Sequence, residues 1–139
     1  MPNLYEDKLE IRELISRYND AVDHHAVDEW VALFVDGGVL DLAGAARFEG
    51  AEALRTFAGS LKDVYATTPM RHCTSNEVID VDGDAARGRC YLTVLHAQGD
   101  KIDVRLFGVY ADTFRRVDGR WRFVERSFRS EMPELIPAW

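Results

Sequence analysis

The chain has 139 residues, with 24 acidic against 17 basic side chains and a formal net charge of −7. That charge excludes a nucleic-acid partner, which needs a basic stripe. The three lysines (Lys8, Lys62, Lys101) and fourteen arginines form no basic run. One domain spanning 1–139 is expected, large enough to bury about 70% of its unfolded surface, with 131–139 as a tail. No run reaches the roughly 18 apolar residues of a membrane span. The acidic start Met1-Pro2-Asn3-Leu4-Tyr5-Glu6-Asp7 lacks the order of a secretory leader, so a cytoplasmic location is the default. Cys73 and Cys90 show no metal or redox spacing and read as free thiols.

Apolar residues recur at Ile11, Leu14, Ile15, Tyr18, Ala21 and Val22, one stripe of a first helix ending near Asp23. Residues 27–35 predict a second, short helix with Trp30, Leu33 and Phe34 on its apolar side, stopped by Gly37-Gly38. Residues 39–42 and 46–49 read as two short strands joined through Gly44. Residues 51–65 read as a third helix burying Ala53, Leu54, Phe57 and Leu61. From Arg71 the period changes to two. Residues 72–82, 85–98, 101–117 and 120–129 read as four long strands, joined at Asp82-Gly83-Asp84, Gln98-Gly99-Asp100 and Asp118-Gly119. Helices followed by a meander predict an α+β fold: three N-terminal helices packed on a curved, mostly antiparallel sheet.

Strand parity sorts the candidate site residues. His72, Thr74, Asn76 and Val78 share one face of their strand, while Cys73 points the other way. Ala86, Gly88, Cys90, Leu92, Val94 and His96 share the apolar face of the next. Bulky residues on both parities of the later strands (Leu106, Phe107, Val109, Tyr110, Trp121, Phe123, Val124) imply that a second copy of the chain covers the face the helices leave open.

A carboxylate at the end of a helix, Asp23, can meet a histidine entering the sheet, His72. It would fix the tautomer and leave the outer ring nitrogen as a general base. Asp20 is the competing carboxylate. His96 is a candidate donor to a carbonyl or leaving oxygen. Trp30 and Asn76 are candidate substrate contacts, although Trp30 and Trp121 also read as core aromatics. His72, His96 and Asp23 could in principle form a metal-binding facial set. No short-range metal motif accompanies them, and no metal or cofactor is expected. Nor is there a phosphate loop or a nucleophile elbow.

The opening Arg17-Tyr18 to Asp23 segment, the Leu33-Phe34 element, Arg71-His72 to Asn76, Asp82-Gly83-Asp84-Ala85 and the closing Gly119 to Arg126 run resemble the SnoaL-like group of the NTF2-like superfamily over about residues 5–130. The branch most resembled holds scytalone dehydratase, bile-acid 7α-dehydratase and the hexachlorocyclohexane dehydrochlorinase. That resemblance implies a cone-shaped α+β barrel, a metal-free Asp–His dyad at Asp23 and His72, a second histidine at His96, a pocket donor at Tyr18, a substrate-contacting arginine at Arg126, and homo-oligomers, trimers more than dimers. The expected activity is a cofactor-independent lyase of dehydratase type, taking a carbon-bound proton from an apolar cyclic small molecule. An isomerase or polyketide cyclase would use the same first step. A non-catalytic binding domain, or an accessory subunit like those of ring-hydroxylating dioxygenases, are the other readings.

Overall fold

The structure is a computed structural model that describes residues 3–132. Its first helix, α1 (Leu4–Asp23), starts where the Asn3 side chain accepts a hydrogen bond from the Tyr5 amide at 2.9 Å. Glu6 and Asp7 in the first turn complement the positive end of the helix dipole. The apolar stripe Ile11, Leu14, Ile15, Tyr18, Ala21 and Val22 is buried as the periodicity requires.

The second helix, α2 (Val27–Val31), is shorter than expected, because the chain extends into β1 at Phe34–Leu42. Phe34 was expected on a helix face. It instead faces Phe123 across a strand pair, and Gly37-Gly38 lies inside β1 rather than ending a helix. The reason is an irregularity in pairing: Phe34 faces Phe123, but Val39 already faces Glu125. The extra residues bulge out around Gly37 at φ 72°. At Gly38 an added Cβ would lie 2.8 Å from the Phe34 Cβ, so only glycine fits. Gly44 carries the turn to β2 (Ala46–Glu49), and α3 (Ala51–Val64) follows.

The remaining elements are β3 (Met70–Asp82), β4 (Ala85–Gln98), β5 (Lys101–Val117) and β6 (Arg120–Ser130), within two residues of the expected bounds. One curved six-stranded sheet results, in the order β2-β1-β6-β5-β4-β3. All its pairs are antiparallel except β1 with β6. The α+β architecture therefore stands as the sequence implied.

The helices cover the inner face. Tyr18 and Trp30 stack at 5.4 Å between ring centroids, and Phe57 of α3 reaches Trp30 at 5.7 Å. Polar ties along its length help fix α1 against the sheet. The buried Asp7 carboxylate accepts from Trp121 Nε1 at 3.0 Å and pairs with Arg116. Near the other end, Asn19 Nδ2 donates to Thr74 Oγ1 at 2.9 Å. The outer face stays open: Val78, Tyr91, Val104 and Phe107 are exposed on neighbouring strands. Among the described residues no helix is long and apolar enough to cross a membrane. The expected tail lies almost wholly outside the described residues, at 133–139.

Candidate active site

The last residue of α1 and the third of β3 meet. Asp23 lies at the negative end of its helix dipole, where a carboxylate is disfavoured and no basic residue in the last turn offsets it. The compensation comes from β3. Asp23 Oδ2 accepts the His72 backbone amide at 2.9 Å, and Asp23 Oδ1 accepts from His72 Nδ1 at 2.7 Å. Both side chains are nearly sealed, at 5% and 9% exposure. A carboxylate can only accept, so Nδ1 carries the proton and Nε2 has its lone pair free. Asp20, the competing carboxylate, stays on the solvated side and pairs with His24 at 3.2 Å.

His72 lines a cavity of about 440 Å³ under the curved sheet, within the roughly 300–1,000 Å³ of small-molecule pockets. Its walls are mostly apolar: Leu40, Leu42, Phe57, Met70, Leu92, Val94 and Phe128 among them. The lining residues with polar side chains are His72, Tyr18, Tyr65, Tyr110, Ser130 and Arg105. Burial pushes the hydroxyls of Tyr18 and Tyr110 above the ordinary tyrosine range, with Arg126 opposing it at both. Both therefore remain O–H donors at neutral and mildly alkaline pH.

Arg126 is fully buried (0% exposed) behind that floor. It was expected as a substrate contact, but it lies beneath Tyr18 and Tyr110 rather than in the cavity wall. Its Nε donates to Asp112 Oδ1 at 2.9 Å and its Nη2 to Asp112 Oδ2 at 3.3 Å. The guanidinium stacks on Tyr110 at 3.5 Å and Tyr18 at 4.3 Å. Burial works against its charge, yet Asp112 and the tyrosine oxygens outweigh that and hold Arg126 above its ordinary range. Burial likewise pushes the Asp112 carboxyl up, and Arg126 pulls it back.

The other candidates stand apart. Trp30 is buried one layer behind Tyr18, as core. His96 is on the inner face, but its Nε2 is hydrogen-bonded to Thr68 Oγ1 at 2.9 Å. The Tyr65 ring packs edge-to-face against it at 5.1 Å, and it is Tyr65, not His96, that lines the cavity. His72, His96 and Asp23 therefore do not converge on a metal-sized point, and among the described residues no group of three His, Cys, Asp or Glu does. Asn76 is exposed at φ 58° inside a bulge between Ser75 and Val78, which breaks the alternation that put it on the face of His72. Cys73 is exposed, and burial pushes the Cys90 thiol up to about 11, so Cys90 is not a thiolate nucleophile. Tyr65, Tyr110 and Arg105 were missed. Tyr110 was recoverable, since Gly108, Tyr110, Asp112 and Phe114 share one parity of β5.

The chain is similar to known proteins in sequence and in fold. Residues 4–127 match the family model of the SnoaL-like domain. An uncharacterized protein of Mycobacterium tuberculosis is 29% identical over 124 residues, covering 86% of this chain and 82% of its own. An NTF2-like protein with a cystatin-like fold from Novosphingobium aromaticivorans superposes with a TM-score of 0.87 at 27% identity, over 95% of this chain and 86% of the other. A candidate scytalone dehydratase from the same organism gives 0.80 at 26% identity, over 92% and 86%.

Removing one partner of the Arg126–Asp112 pair leaves an uncompensated buried charge. Arg126→Met should cost about 3–5 kcal/mol in urea unfolding, and Arg126→Met combined with Asp112→Leu should recover most of it. A single variant as stable as the wild type would contradict this reading of the floor.

Proposed function

Because the chain belongs to the SnoaL-like domain family, we propose that it is a cofactor-independent lyase of the dehydratase type, acting on a small or medium apolar cyclic substrate in the 440 Å³ cavity. The observation that carries this reading is the 2.7 Å Asp23–His72 contact at the wall of that cavity, with Nε2 left free. Its similarity to the candidate scytalone dehydratase is consistent with the same chemistry.

In the proposed reaction, His72 Nε2 takes a proton from a carbon beside a carbonyl. Asp23 stabilises the imidazolium that forms and keeps its ring in place. Negative charge develops on the carbonyl oxygen, where the Tyr18 and Tyr110 hydroxyls are the available donors. The β-carbon–oxygen bond then breaks, the carbon–carbon double bond forms, and the Nε2 proton leaves with the hydroxide as water. Isomerisation and ring closure share the first step and need only a different fate for the carbanion. The geometry supports no direct contact for His96, whose ring nitrogen is already engaged.

The reading extends to assembly. A second copy of the chain would cover the outer patch of Val78, Tyr91, Val104 and Phe107, and the family resemblance favours a trimer over a dimer.

Exchange of the α-protons of 2-tetralone with deuterated water, followed by NMR, tests the first step. Wild type should accelerate it, and His72→Ala should lose about 10²–10⁴-fold while keeping the native circular dichroism. Asp23→Asn should lose at least about 10²-fold, through the ring's orientation. Acceleration that survives in His72→Ala would sink the assignment, and no acceleration by wild type would leave a binding domain. For assembly, light scattering should give a multiple of 15.8 kDa that falls towards 15.8 kDa in Tyr91→Arg/Phe107→Arg. A wild-type monomer would contradict it.

A further inference from the structure

Among the described residues the cavity wall holds one formally charged side chain, and a fault in the sheet brings it there. In the β4–β5 pair Val94 faces Leu106, but Leu95 faces Val104, so Arg105 is an extra residue in β5. Strict alternation from Leu106 would have sent Arg105 to the outer face with Phe107. The bulge turns it instead, and Arg105 lines the cavity alongside Leu106 and Ser130.

The net charge is −7, and the arginines built into the fold are paired: Arg47 with Asp41 and Glu125, Arg116 with Asp7 and Asp84, Arg126 with Asp112. Arg105 belongs to a second set of arginines without an ion pair among the described residues, and of that set it is the member that lines the cavity. Among the described residues no carboxylate lies within 4.0 Å of the Arg105 guanidinium, and no acidic residue lines the cavity. Arg105 is exposed to solvent, so a permanently charged, forked donor stands at the open side of a mostly apolar pocket without a partner among the described residues. Guanidinium geometry matches a carboxylate, which it can hold through two parallel N–H···O bonds.

We propose that the substrate is an organic anion: an apolar ring-sized skeleton seated among Tyr18, Phe57, Tyr65 and Tyr110, with a carboxylate held by Arg105. His72, Val94 and Leu106 stand in one row across β3, β4 and β5. Two strand spacings place the β3 and β5 backbones about 10 Å apart at that level. The carboxylate is thus held across the ring system from the C–H that His72 takes. This substrate class rests on the same cavity being the active site, but its test reads binding alone.

The probes are 2-naphthoate and its neutral counterpart 2-naphthamide, titrated at pH 7.5 by calorimetry. Wild type should bind the acid about five- to tenfold more tightly than the amide, with the preference shrinking as salt is added. Arg105→Gln should erase the preference while leaving amide affinity unchanged, and Arg105→Glu should reverse it. His72→Ala should keep the preference, which separates this claim from the proton-transfer reading. Equal affinities in wild type, a preference retained in Arg105→Gln, or one lost only in His72→Ala would each overturn the assignment. So would the absence of binding by both probes at millimolar concentration.

Discussion

One carboxylate, that of Asp23, ties the end of a helix to the start of a sheet and sets the chemistry of the histidine between them. It lies at the end of α1 where the helix dipole disfavours negative charge, so it needs donors. β3 supplies two from a single residue, the amide and the Nδ1–H of His72. The same pair of hydrogen bonds thus sets the approach of α1 to β3 and the direction of the imidazole. Hydrogen bonds to a charged group contribute roughly 1.5–3 kcal/mol each, so the arrangement stabilises the fold as well as orienting a base.

Behind the cavity a second charge is handled differently. Arg126 has no access to water, and its Nη1 finds no acceptor among the described residues. Asp112 neutralises it, and stacking on Tyr110, Tyr18 and Phe123 adds attraction that water would otherwise provide. The result is a rigid floor under two tyrosine hydroxyls. Their protons are held by burial, and the cation beneath favours charge developing near them. Dyad and floor share α1, which carries both Asp23 and Tyr18, and with His72 and Tyr110 they meet at one void.

Much of this was legible in the sequence, and the failures share a cause. Period-two alternation correctly put His72 inward and Cys73 outward, because β3 is regular from Met70 to Ser75. It failed at Asn76, where a bulge resets parity, and could not find Arg105, which another bulge redirects. Neither bulge is marked by glycine. In β1 the glycines were visible, but Gly37-Gly38 reads equally well as a helix stop or a strand irregularity. The longer β1 was missed for that reason. Arg126 was read as a substrate contact because its partner Asp112 is recognisable only once the β5–β6 register is known. His96 was assigned to the correct face, but parity says nothing about the partners that engage it there, Thr68 and the Tyr65 ring.

The account depends on the tautomer that Asp23 imposes. Long-range ¹H–¹⁵N correlation of the histidine rings at pH 8 would observe it directly. His72 should show a protonated Nδ1, with its proton shifted downfield by the carboxylate, and an unprotonated Nε2; Asp23→Asn should abolish the downfield proton. A His72 ring protonated at Nε2, or averaging freely between tautomers in the wild type, would contradict the account.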